Sequence, residues 1–302
     1  MCFMVRVASV STPTLPPPLP PALPAAWRGL VDDAAIFPPG DAPLADAAAV
    51  HVARRSQPYG DLVGTLVVRD TDIPALRSTP IALSVVLTGG AGQVAGAAEL
   101  CRKLHIALEG LEIALRDDGV AGDLAGNARR VVAAVDAARA DGVLDDHVPI
   151  YVELPATESR GWLAAADVVA ENELRLKFRT GGLEASAFPT SSTLARWIDA
   201  ALDRETPFKC TAGLHRAVRH TSADGFEHHG FLNVLVATRL LFDGTPLGDV
   251  VEVLELRDGA ALAAQARDLD LAGARRWFTS FGSCDVEEPR TDLLTLGLLE
   301  AP

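Results

Sequence analysis

Three of the 302 residues are lysines, Lys103, Lys177 and Lys209, and arginine supplies the other 24 of the 27 basic side chains. A chain that uses Arg wherever a plain positive charge suffices directs attention to the lysines it keeps. An amine can lose its proton and act as a nucleophile or base, whereas a guanidinium cannot. Lys103 lies in the helical-looking Cys101-Arg102-Lys103-Leu104 and reads as a surface residue. Lys177 and Lys209 each end a strand-like run, Leu-Arg-Leu-Lys-Phe-Arg-Thr-Gly-Gly and Pro-Phe-Lys-Cys-Thr-Ala-Gly-Leu. Both runs pass into glycine, where a site loop would begin. In a strand, residues two apart share a face. Lys177 therefore points the same way as Arg179, and Lys209 the same way as Thr211. If the two strands are neighbours, each ammonium disfavours protonation of the other, and burial adds to the effect. A neutral amine near pH 7 is what Schiff-base chemistry requires.

Four of the seven histidines, His215, His220, His228 and His229, fall within 15 residues after the Lys209 segment. His215 directly follows Gly213-Leu214 and is a candidate general acid/base. The loop could also form a divalent metal site completed by Asp32, Glu153 or Cys284, although no standard His-x-x-x-His pair occurs. As a polar surface loop it would need neither role, and that reading suits His220 and His228 best. Asp32-Asp33, before Ala-Ala-Ile-Phe-Pro-Pro-Gly, either places a carboxylate at a site or caps a turn. Cys2, Cys101, Cys210 and Cys284 show neither a Cys-x-x-Cys pair nor a disulfide spacing, which fits a reducing cytoplasm. Cys284 is the one expected to face the site.

The elements that must position these groups alternate. Strand-like apolar runs lie at Gly29–Phe37, Leu62–Val68, Ile81–Leu87, Leu111–Arg116, Pro149–Leu154, Leu174–Phe178, Pro207–Thr211 and Trp277–Phe281. Helical patterns include Val94–Leu104, Asn127–Ala140, Trp162–Glu171, Thr193–Leu202, Phe231–Phe242 and Ala260–Leu269. Alternation predicts a parallel sheet, and eight strands predict a closed (β/α)8 barrel. The first strand is the weakest, with two aspartates at its centre. A proline-rich leader over residues 1–26, extended or disordered, precedes a barrel domain over 27–302. In such barrels the site forms at the C-terminal strand ends. Those ends read Arg69-Asp70, Thr88-Gly89-Gly90, Arg116-Asp117, Glu153, Lys177 with Arg179, Lys209 with Thr211, and Ser280 to Ser283.

Class I aldolases of the deoxyribose-phosphate aldolase type carry a sixth strand ending Lys-Thr-Ser-Thr-Gly. Their seventh ends Lys-Ala-Ser-Gly-Gly-Ile, and their eighth contains Ile-Gly-Thr-Ser. The last 130 or so residues of this chain resemble that group through Lys177-Phe178-Arg179-Thr180-Gly181, Lys209-Cys210-Thr211-Ala212-Gly213-Leu214 and Phe281-Gly282-Ser283-Cys284. The resemblance implies Lys177 as Schiff-base nucleophile and Lys209 as the residue lowering its pKa. It also implies Gly213, Gly282 and Ser283 as phosphate contacts. The group's essential Asp, in Glu-Ile-Asp-Met-Val, corresponds to Ala114 in Glu112-Ile113-Ala114, so Glu153 is the expected proton shuttle instead. Arg179 stands where the group has a small hydroxyl residue and suggests a substrate with a carboxylate or phosphate.

Net charge −13 argues against nucleic acid and anionic membranes as partners. No run of about 18 apolar residues is present. Neither a Gly-x-Gly-x-x-Gly nor a P-loop motif follows a strand, and the chemistry expected calls for no cofactor. The sequence is therefore read as a cytoplasmic Schiff-base lyase or aldolase acting on a small anionic, phosphorylated carbonyl metabolite. The catalytic candidates are Lys177, Lys209, Glu153 and His215; the substrate contacts are Arg179, Thr211, Gly213, Gly282 and Ser283. The alternatives are a metal-dependent isomerase, epimerase or hydrolase using the His215–His229 loop, and a non-catalytic metabolite-binding barrel. The sequence leaves the oligomeric state open, a homo-oligomer included.

Overall fold

Eight parallel strands close into a barrel in the computed structural model, which describes residues 23–77, 79–115, 123–156, 161–223 and 225–300. The first 22 residues of the leader, and Arg116 and Asp117, lie outside the described residues. In chain order the elements are β1 (Val31–Asp33), α1 (Leu44–Arg54), β2 (Val63–Arg69), β3 (Ala82–Leu87), α2 (Val94–Leu104), β4 (Ala107–Ala114) and α3 (Leu124–Ala140). Then come β5 (Ile150–Glu153), α4 (Trp162–Glu171), β6 (Arg175–Arg179), α5 (Ser191–Asp203) and β7 (Phe208–Thr211). After β7 follow a small antiparallel hairpin, β8 (His220–Thr221) and β9 (Glu227–His228), and four helices. These are α6 (Phe231–Phe242), α7 (Leu247–Glu255), α8 (Gly259–Asp268) and α9 (Leu271–Ala274), with β10 (Phe278–Ser283) and α10 (Glu287–Thr295) closing the chain. The barrel order is β1-β10-β7-β6-β5-β4-β3-β2. All eight expected strands are present, and β2 reaches β3 through a 3-10 stretch over Asp70–Leu76.

The core lies between the barrel and its helices. Leu176 and Phe178 of β6 flank Lys177 and are buried, as are Phe208 and Cys210 of β7 on either side of Lys209. Phe178 stacks among Trp162 of α4, Trp197 of α5 and Phe208, with centroid separations of 6.4, 5.6 and 5.1 Å. Period-two alternation therefore drives the apolar residues outward against the helices and the lysines inward. Asp32 and Asp33 in β1 split in the same way. Asp33 pairs with His51 and Arg54 of α1, at 3.2 and 2.6 Å, while Asp32 enters the barrel.

Residues ahead of β1 belong to the body. Ala26 and Trp27 are buried, and the Trp27 indole donates to the Leu298 carbonyl at 2.9 Å. Arg275 donates to the carbonyls of Ala26, Arg28, Gly29, Phe278 and Thr279, tying this segment to β10. Only a guanidinium offers enough donors for that set. Among the described residues no helix is long and apolar enough to cross a membrane.

Candidate active site

The sixth and seventh strands are neighbours, with Lys177 directly opposite Lys209, Arg179 opposite Thr211, and Glu153 of β5 opposite Lys177. Both lysines are buried, at 4% and 2% exposure. The expectation that they lower each other's pKa does not hold, because Glu112 of β4 stands between them. Its Oε2 is 2.8 Å from the Lys177 amine and its Oε1 2.8 Å from the Lys209 amine. Lys177 also pairs with Glu153 Oε2 at 2.9 Å, and Lys209 with Asp32 Oδ2 at 2.7 Å. Glu153 Oε1 in turn accepts from Arg179 Nε at 2.8 Å. Hydroxyls complete the network: Ser84 donates to Glu112 at 2.6 Å, and Thr65 and Ser280 donate to Asp32 at 2.9 and 2.7 Å.

Burial by itself would lower the Lys177 pKa, but Glu112 and Glu153 outweigh it and hold the amine above its ordinary value. Lys209 is raised likewise, burial being overcome by Asp32 and Glu112. Glu112 and Glu153 would be raised by burial, yet the cations beside them hold both below the usual carboxylate range. Three carboxylates and three cations thus balance inside the barrel. Such a network costs much desolvation and is tolerated only with close, fully bonded geometry.

The network forms the floor of a cavity of about 1620 Å3, reached from the C-terminal strand ends and lined among others by Glu112, Glu153, Lys177, Arg179 and Lys209. Thr211, Gly213, His215, Gly282 and Cys284 line it too. Ser283 is buried and donates to the Asp285 carbonyl at 2.7 Å, which places its hydroxyl on a loop contact. A second cavity of about 550 Å3 opens at the opposite end, among residues that begin the strands, such as Gly64, Ala82, Pro149 and Arg175. It also reaches Asp32 and Lys209, so the Lys209 side chain lines both cavities.

The loops after β6 and β7 are fastened together. Thr180 N donates to the Thr211 carbonyl at 2.9 Å, and the Thr180 hydroxyl to the Ala212 carbonyl at 2.5 Å. A Cβ on Gly181 would lie 2.7 Å from Gly213 Cα, and Gly213 itself has φ +77°. These glycines therefore permit backbone contact between the loops.

His215, His220 and His228 line the cavity, so His228, read from the sequence as a surface-loop residue, is buried there, while His229 turns away from it. His228 Nδ1 donates to the Gly213 carbonyl at 3.1 Å, and its ring lies 5.3 Å from that of His220. His229 Nε2 donates to the Pro189 carbonyl at 2.8 Å while Nδ1 faces Arg219 at 3.2 Å, and burial lowers its pKa to about 4. It is a neutral structural residue. His215 Nδ1 lies 3.3 Å from Ser283 Oγ, 3.8 Å from Cys284 Sγ and 3.5 Å from Glu288. Burial holds its pKa below the ordinary value, and burial raises that of Cys284 to about 11. Among the described residues no group of three His, Cys, Asp or Glu side chains is arranged to hold a metal ion. Cys210 is fully buried behind β7 and does not reach the cavity.

Glu112, Ser84 and Thr65 are the site residues that sequence reasoning missed, whereas Ser280 was among the strand ends it read. Glu112 carried a readable signal: it is a carboxylate in the middle of the apolar run Leu111-Glu112-Ile113. Ala114, where the aldolase resemblance places an acid, is on the same face two residues on. Neither the models of known protein families nor the curated proteins gave a match to the chain.

Proposed function

We propose that the protein is a Schiff-base-forming lyase of the aldolase kind, acting through Lys177 on a small anionic carbonyl compound. The observation that carries the reading is the position of the Lys177 amine. It lies on the cavity floor within 2.9 Å of two carboxylates, Glu112 and Glu153, with the cationic Lys209 opposite it in register. Resting as an ammonium, Lys177 must pass a proton to a neighbour before it can attack; Glu112 and Glu153 both line the cavity, and Glu153, which is not shared with Lys209, is the one beside Arg179. The freed amine then bonds to the carbonyl carbon while the carbonyl oxygen takes the proton back from Glu153. Loss of water from this carbinolamine gives the iminium, whose positive charge the same carboxylates would stabilise. The volume supports a reaction between two molecules, since single-ligand pockets commonly measure about 300–1,000 Å3.

The test is borohydride reduction in the presence of glyceraldehyde 3-phosphate, pyruvate or glycolaldehyde, followed by peptide mass mapping. A reduced adduct on Lys177 that disappears in Lys177→Met is expected. No adduct, or adducts spread over surface amines, would overturn the reading and leave a binding barrel.

A further inference from the structure

Arg179 holds the acceptor for the Lys177 proton, and it does so from the cavity side. Its side chain is 43% exposed, whereas Glu153 is 11% and Lys177 5% exposed. Only Nε is engaged, with Glu153 Oε1; among the described residues neither terminal nitrogen has a hydrogen-bond partner. A planar guanidinium with both terminal nitrogens open to a cavity is suited to a bidentate carboxylate or phosphate. The other groups facing Glu153 and Lys177 are Glu112 from β4 and, beyond it, Lys209 from β7 with Asp32 from β1.

We infer that Arg179 is an anion-operated latch: the substrate's own negative group takes the two open terminal nitrogens, its charge offsets the positive charge that Glu153 meets through Nε, and Glu153 becomes the proton acceptor for Lys177. The inference rests on the lyase reading above. The step is balanced internally. The proton moves from the Lys177 ammonium to Glu153, the amine lone pair forms the C–N bond, the carbonyl π pair moves to oxygen, and the Glu153 proton follows it. Burial alone favours the protonated form of Glu153 and the neutral form of Lys177, and the opposing charges prevent it. A close cation lowers a carboxylate pKa by about 1–3 units, and offsetting its charge returns part of that. Arg179 acts here as a positioning residue that makes nucleophile activation conditional on the correct ligand. It also implies that the anion lies close to the reacting carbonyl, because Lys177 and Arg179 grip the two oxygens of one carboxylate.

The experiment separates the anion from the carbonyl. Glycolaldehyde, which is neutral, serves as the probe, and imine on Lys177 is followed by quenching aliquots with borohydride. Inorganic phosphate is added or replaced by potassium chloride at equal ionic strength. In the wild type, phosphate is expected to raise the rate about tenfold at neutral pH, one pKa unit of relief. The gain should shrink towards alkaline pH, where Lys177 loses its proton unaided. Arg179→Gln should form imine faster than wild type without phosphate and gain nothing from it. Arg179→Lys, which keeps the charge but not the planar fork, should respond weakly. An adduct that forms at the same rate with and without phosphate overturns the latch and leaves the lyase reading standing. So does a phosphate gain that is uniform with pH, or one that persists in Arg179→Gln. Absence of any adduct overturns both.

Discussion

Glu112 is 1% exposed and accepts hydrogen bonds from two ammonium groups and one hydroxyl. Replacing it by Gln leaves Lys177 and Lys209 facing each other with their shared counter-charge gone. Glu112→Gln is expected to lower stability by about 3–5 kcal/mol at neutral pH, as for other broken buried pairs, measured by chemical denaturation. The same change should move imine formation on Lys177 to lower pH, since the amine loses one of the two carboxylates holding it protonated. The lysines were legible as a pair because they are rare and because period-two spacing aims both inward. Their charge state was not legible. It depends on Glu112 and Asp32, which lie 65 positions before Lys177 and 177 positions before Lys209 in the sequence. Only barrel closure brings those carboxylates within hydrogen-bond distance.

The elements that carry the lysines are fixed by backbone contact between loops as well as by aromatic packing. Gly181→Ala would drive a methyl group to 2.7 Å from Gly213 Cα and 3.0 Å from Phe188. The expected loss is about 1–3 kcal/mol, seen as a lower Tm, with imine formation falling as the β6 and β7 ends separate. Gly96→Ala is the control: it lies on the exposed face of α2, a Cβ there meets nothing within 4 Å, and helix propensity predicts a gain of about 0.5–1 kcal/mol. Seven of the strands and six of the helices could be read because they carry apolar runs, whereas β1 was the weakest reading. The β8–β9 hairpin could not, since two residues per strand are too few to show alternation. The aspartates that made β1 look doubtful are its most informative residues: one faces Lys209 and the other clamps α1.

At the scale of the whole molecule, the buried charges tie stability to pH from both sides. Glu112 and Glu153 have folded pKa values below the ordinary 4.5, so they contribute stability fully above that value and lose it as pH falls through their lowered ones. The lysine amines are raised above 10.5, so their contribution is complete below 10.5 and is lost only as pH rises through the folded values. Denaturation free energies should therefore hold between about pH 5 and 10 as far as this network is concerned, and fall on the acid side. Glu112→Gln should make the acid limb shallower, because one of the groups that must be protonated is gone. The −13 net charge resides outside the balanced network, and its self-repulsion is relieved, not increased, by mild acid. An acid limb that is present in wild type and flattened in Glu112→Gln thus reports on the interior. The small cavity at the N-terminal end has its own consequence. A ligand that plugs the upper mouth leaves a back door, and deuterium from bulk water should keep exchanging into the Lys209 ammonium from beneath while traffic from above has stopped.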